Sequence, residues 1–179
     1  MKTKAKYSKI KVLLLITGSI AAVRIPLLVS QLAKENYEIR CVLSKNAEKL
    51  IKPLSLSILS RNPCILENDQ WSDSQSTPLH IELSNWADIL IIAPLTATTL
   101  AKWVTGNAEG LIPSILLANT NPIIVAPAMN TQMWLNKAVQ KNYENLHSYE
   151  NVLSLQPSEG LLACDAKGCL LYTSDAADE

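Results

Sequence analysis

The stretch Ile123-Ile124-Val125-Ala126-Pro127-Ala128-Met129-Asn130-Thr131-Gln132-Met133-Trp134 runs from an unbroken aliphatic segment through a proline-fixed turn to a helix start. Apolar residues in succession, without alternation, predict a strand buried on both faces, as in a parallel sheet. Pro127 ends it, and Asn130 is suited to cap the following helix. Such a turn lies at the carboxyl end of a strand, the edge where open α/β sheets bind ligands.

The same unit recurs on either side. Val12 to Thr17, Glu38 to Leu43 and Asp88 to Ala93 read as further buried strands, and Val152 to Leu155 as a short final one. Between them, helical patterns are expected over Ile20–Lys34, with Pro26 opening the main segment after a preliminary turn. Others are expected over Ser44–Ile51, Leu54–Ser60, Thr96–Thr105, Leu111–Ala118 and Thr131–Leu146. Glu67 to Pro78 is polar and reads as a surface loop. Strands alternating with helices imply right-handed crossovers and an α/β doubly wound parallel sheet. The loops after the strands, Thr17-Gly18-Ser19, Ser44, Pro94 to Thr98 and Pro127 to Asn130, then fall on one edge.

The bulk properties narrow the function. At 179 residues, 48% of them hydrophobic, the chain holds one well-cored domain. Basic and acidic residues number 16 each, so no net field points to nucleic acid or an anionic membrane surface. No segment reaches the roughly eighteen apolar residues of a membrane span, and the lysine-flanked run Val12–Ile16 is too short for a signal peptide, which favours a cytoplasmic protein. Cys41, Cys64, Cys164 and Cys169 lack paired metal-ligand spacing. Cys41 and Cys64 read as small core hydrophobes, and no metal is expected. Cys169–Glu179 resembles a translated sequencing adapter, so residues 1–168 are taken as a truncated domain and 169–179 as a non-native tail.

Gly18-Ser19-Ile20-Ala21-Ala22 joins the first strand to the first helix, where backbone N–H groups, the helix dipole and the Ser19 hydroxyl can hold a phosphate. A single glycine at such a turn also occurs where no ligand binds. His80 and His147 are the only histidines, and lone histidines are most often structural.

Four separated motifs, in order, resemble the homo-oligomeric flavin-containing cysteine decarboxylase family over Lys11 to Gly168. Gly18–Ala22 matches its phosphate loop, G-[GS]-I-A-A, with Val23 where an aromatic residue is frequent. His80 opens H-[IV]-x-L-[ST]-x-W-A-D. Ala128-Met129-Asn130 lies in P-A-M-N-x-x-M-[WY], and Cys164 lies in G-x-L-A-C-G, with Asp165 at the final glycine. Ala93–Thr99 is similar to A-P-x-[ST]-A-N-T, with Thr98 at the asparagine.

The resemblance implies a flavodoxin-like or Rossmann-like flavoprotein fold and FMN bound by Gly18, Ser19, Ile20, Ala21, Ser44, Thr96 and Thr98. It implies a substrate held by Ala128, Met129 and Asn130, with His80, Asn130 and Cys164 catalytic. The implied activity is FMN-dependent decarboxylation of phosphopantothenoylcysteine to phosphopantetheine in coenzyme A biosynthesis. His80 would relay a proton, the Asn130 amide would hold the substrate carboxylate, and Cys164 would protonate the enethiolate. The family also implies a trimer-based homo-oligomer with flavin near subunit interfaces, and a synthetase fused after the decarboxylase. A decarboxylase of peptide cysteines and a non-catalytic phosphatase regulator are the alternatives. A flavin prenyltransferase of the same fold lacks this motif combination.

Overall fold

A computed structural model describes residues 8–155 together with two strand segments, 158–161 and 167–170. Strands β1 (Lys11–Ile16), β2 (Glu38–Leu43), β3 (Ile65–Leu66), β4 (Ile89–Leu95), β5 (Ile123–Pro127) and β6 (Val152–Ser154) form one parallel sheet. Its order is β3-β2-β1-β4-β5-β6, the Rossmann-type order of a doubly wound sheet. The central strands are apolar without alternation because helices cover both faces; Val12 to Ile16 are all buried.

Helices α1 (Ile25–Lys34), α2 (Pro53–Ser60), α3 (Leu79–Trp86), α4 (Ala97–Val104), α5 (Leu111–Ala118), α6 (Thr131–Trp134) and α7 (Lys137–Leu146) fill the connections. On one face, Leu13, Leu15, Leu90, Ile92, Ile123 and Val125 pack with Leu83, Leu100, Trp103, Leu116 and Tyr143. On the other, Leu14, Ile16, Ile39, Cys41 and Leu43 meet Ile25, Val29 and Leu56. Parity along each strand assigns alternate residues to the two layers.

The expected strands and most of the helices are present. Pro26 sits in the first turn of α1, after a 3-10 turn over Ile20–Arg24. The loop expected over Glu67–Pro78 opens with a 3-10 turn at Glu67–Trp71, and two helix expectations need correction. The helix expected over Thr131–Leu146 is broken after Trp134: Asn136 takes extended backbone angles and its side chain accepts from the Ala138 N–H at 2.9 Å, starting a new helix. The helix expected over Ser44–Ile51 shrinks to a 3-10 turn at Ala47–Lys49, and Ser44 Oγ accepts from Ala47 N–H at 3.3 Å. Beyond the sheet, β7 (Ser158–Leu161) and β8 (Lys167–Leu170) pair antiparallel, which the sequence patterning did not suggest.

Candidate active site

The strand order reverses between β1 and β4, so the loops leaving their carboxyl ends diverge and open a crevice. A cleft of about 520 Å³ lies there. The loops after five strands contribute: Gly18 and Ser19 after β1, Ser44 to Asn46 after β2, Glu67 after β3, Thr96 to Thr99 after β4, and Ala128 to Asn130 after β5. The structure thus brings together Gly18, Ser19, Ser44, Thr96, Thr98, Ala128, Met129 and Asn130.

Local physics holds each loop. A Cβ on Gly18 would lie 2.4 Å from Asn46 Cβ, so only glycine lets the first loop approach the second this closely. Ser19 is the N-cap of the 3-10 turn, with extended backbone angles and no side-chain cap bond. The N–H groups that open such a turn have no earlier carbonyl within it to bond. The buried Thr17 hydroxyl donates to the Pro94 carbonyl and accepts from Thr96 N–H at 3.1 Å, tying β1 to β4. Thr96 caps α4, its Oγ1 accepting from Thr99 N–H at 3.4 Å.

Asn130 caps α6, as the sequence suggested: its Oδ1 accepts from Gln132 N–H at 2.8 Å. With the carbonyl oxygen engaged there, the exposed amide keeps its two N–H donors for a ligand. Ala128 and Met129 are buried beside it. Ile20 and Ala21 do not line the cleft; Ile20 turns outward and Ala21 is buried, so any contact they make to a ligand is through backbone.

The cleft also recruits residues that sequence reasoning missed. Lys45 lines it, as does Lys102, whose Nζ lies 2.9 Å from Glu109 Oε2. Glu67 Oε1 accepts from Leu111 N–H at 2.7 Å, capping α5 from the 3-10 turn that follows β3. Gly110 has φ +108°, and a Cβ there would approach Glu67 Oε1 to 2.5 Å. The Gly110-Leu111 pair was the available signal for a strained helix entry; nothing in the sequence pointed to Glu67 as its cap.

His80 lies elsewhere. It occupies the first turn of α3, half-buried, and lines a neighbouring cleft of about 960 Å³ with Trp71, Asp73 and Ser114. The two clefts share Glu109 and Gly110. His147 is structural in character: its Nδ1 is 2.9 Å from the Tyr143 carbonyl oxygen, and its ring stands edge-on to Tyr143. Cys164 lies outside the described residues. Burial pushes the Cys41 thiol up. Burial, then the carboxylates of Asp69 and Glu48, push that of Cys64 up to about 12. Both thiols therefore stay protonated and inert at neutral pH. Among the described residues no group of His, Cys, Asp and Glu could hold a metal, and no helix is long and apolar enough to cross a membrane.

Comparison with known proteins agrees with this geometry. The Flavoprotein family matches residues 1–175. A probable phosphopantothenoylcysteine decarboxylase of Streptococcus mutans is 36% identical over 160 residues, covering 88% of both chains. A coenzyme A biosynthesis bifunctional protein of Bacillus subtilis is 33% identical over 157 residues; the match covers 88% of this chain but only 38% of that one. Among solved structures, a cysteine-to-serine mutant of PPC decarboxylase complexed with pantothenoylaminoethenethiol superposes with TM-score 0.80 at 34% identity, covering 90% of each chain. An FMN binding protein superposes with TM-score 0.79 at 33% identity, covering 93% of this chain and 91% of that one. The chain therefore belongs to the flavoprotein family that includes the phosphopantothenoylcysteine decarboxylases.

Proposed function

We propose that the chain is an FMN-dependent decarboxylase that converts phosphopantothenoylcysteine to phosphopantetheine in the cytoplasm. The observation that carries this reading is the convergence of Gly18, Ser19, Ser44, Thr96 and Asn130 on one cleft at the point where strand order reverses.

The residues fit FMN. The glycine that admits close approach, the unbonded turn opening and the Ser19 and Ser44 hydroxyls make an anion cradle of the kind a monophosphate takes. Thr96 and Thr98 line the same cleft and would meet the ring system. Bound flavin supplies reversible two-electron oxidation of the substrate thiol.

The chain's own groups do the rest. Asn130, held by its cap, offers N–H donors to the substrate carboxylate and adds no negative charge that would oppose loss of carbon dioxide. His80 accepts the thiol proton. Cys164 returns a proton to the carbon that carbon dioxide leaves, a role supported by the enethiol ligand of the cysteine-to-serine relative. Because His80 lines the neighbouring cleft, we read the site as completed in a homo-oligomer, with His80 of one subunit facing the cofactor of another. The length of the bifunctional relatives supports a synthetase unit fused beyond this chain.

The test is a substrate comparison with the FMN-loaded protein. Phosphopantothenoylcysteine should release carbon dioxide and yield phosphopantetheine, at least about tenfold faster than a peptide ending in cysteine is turned over. Faster turnover of the peptide would move the activity to peptide decarboxylation. Failure to bind FMN would remove the cofactor.

A further inference from the structure

The cradle at the first turn is built from neutral groups. Ser44 Oγ accepts from Ala47 N–H at 3.3 Å and keeps its own proton to donate, and Ser19 makes no side-chain cap bond. A phosphate monoester at neutral pH carries close to two negative charges. Hydroxyl donors orient such a group but leave its net charge uncompensated, and a charge drawn out of water needs a partner.

The charged side chains that line the cleft are Lys45, Glu67, Lys102 and Glu109. All but one are engaged. Lys102 Nζ lies 2.9 Å from Glu109 Oε2 and donates to the Glu109 carbonyl at 3.1 Å, so that pair is neutral as a unit. Glu67 Oε1 accepts from Leu111 N–H at the entry to α5. Lys45 makes no ion pair among the described residues. Its neighbours fix its place in the cleft. Ser44 lines the cleft just before it, and Asn46 just after it stands so close to the first loop that a Cβ on Gly18 would lie 2.4 Å from Asn46 Cβ. Lys45 therefore stands at the end of the cleft where Gly18 and Ser19 lie, whereas Glu109 belongs to the wall shared with the His80 cleft.

We propose that Lys45 is a specificity-determining residue of the cofactor site: its ammonium group meets the phosphate and makes the cleft choose the phosphorylated flavin over riboflavin. The inference rests on the flavin reading of the proposed function and adds to it the positive charge that the glycine-serine cradle lacks. Lys45 is exposed, so its charge stays hydrated on a flexible stem in the free protein and can close over the phosphate as a point charge once the ligand has entered. Charge of this kind acts over the Debye length, about 8 Å at physiological ionic strength and about 3 Å at 1 M, so its effect must fade as salt rises. Lys49 is the natural comparison. It lies one turn away, donates to Asn46 Oδ1 at 3.3 Å and does not line the cleft.

The test is fluorescence titration of the full chain, freed of flavin, with FMN and with riboflavin, at low and at high salt. The wild type should prefer FMN, and its FMN affinity should fall as salt rises. Lys45→Met should weaken FMN about tenfold, leave riboflavin unchanged and flatten the salt dependence, since the variant loses a charge contact and nothing else. Lys45→Arg should keep most of the preference, and Lys49→Met should keep FMN affinity within about threefold, the range of an exposed charge that touches no ligand. The proposal is overturned by an unchanged FMN affinity in Lys45→Met, by an equal loss for FMN and riboflavin, by an undiminished salt dependence, or by a loss in Lys49→Met as large as that in Lys45→Met. The two readings fail differently. A wild type that binds riboflavin as tightly as FMN removes the role of Lys45 and leaves the flavin site standing, whereas a wild type that binds neither removes the flavin site and Lys45 with it.

Discussion

The Thr17 hydroxyl donates to the Pro94 carbonyl, and through this bond the loop after β1 is fastened to the end of β4, its sheet neighbour. The same oxygen accepts from Thr96 N–H at 3.1 Å, so one buried hydroxyl satisfies a carbonyl and an amide next to the loops that line the cleft. The β1–β4 ladder ends at the Leu15–Ile92 pair, so the hydroxyl carries the link between the two strands past their last paired residues.

Thr17→Val keeps the shape and removes the hydroxyl. It should destabilise the protein by about 1–3 kcal/mol, the cost of leaving buried polar groups unpaired, and weaken FMN binding. Thr17→Ser should retain most of both. Urea unfolding and flavin titration check the pair, and a valine variant as stable as the wild type would show that the bond is replaced by water.

Gly18→Ala puts a methyl group where Asn46 Cβ already stands. The β1 and β2 loops must separate, and FMN affinity should fall by about tenfold or more, roughly 1.4 kcal/mol. Adding Asn46→Gly removes the closest contact and should recover part of the loss. Fluorescence titration of the single and double variants reads this directly.

Asn130 has two duties that substitution can separate. Asn130→Asp keeps an N-cap acceptor for Gln132 N–H, so stability should hold, while loss of the amide donors and the added charge should cut carbon dioxide release ~10²-fold. Asn130→Ala should lose the cap as well, about 1 kcal/mol. Equal melting of the wild type and the aspartate variant, with unequal turnover, is the expected signature.

His80→Asn should leave FMN binding intact, since His80 does not line the cofactor cleft, and abolish turnover. Because the two residues line different clefts, mixing inactive His80→Asn and Asn130→Asp chains before assembly should restore activity at about one quarter of the sites in a random oligomer. No recovery from verified mixed oligomers would place both residues at a site within one subunit.

The Cys64 thiol gives a pH signature. Burial, followed by Asp69 and Glu48, raises it from 9.0 to about 12, so the folded state keeps the thiol neutral where the unfolded chain ionises it. Its contribution to stability is complete below pH 9 and is lost as pH rises towards about 12. Cys64→Ser should flatten the fall in stability across that window, measured by urea unfolding at several alkaline pH values.

The parallel sheet, and the loops gathered at its carboxyl edge, are legible in local patterning alone. Uninterrupted aliphatic runs such as Val12–Ile16 and Ile123–Ala126 can be satisfied only by burial on both faces, and the small, hydroxyl and amide residues after them mark the edge where ligands bind. Asn130 was legible as a cap for the same local reason. Tertiary structure decided what depends on residues far apart in the chain: Thr17 bonding the β4 loop, Glu67 capping α5, Gly18 making room for Asn46, and His80 standing in a separate cleft. Local propensity is blind to these because each is a contact across 28 to 77 positions, or an absence of contact, fixed by the order of the strands.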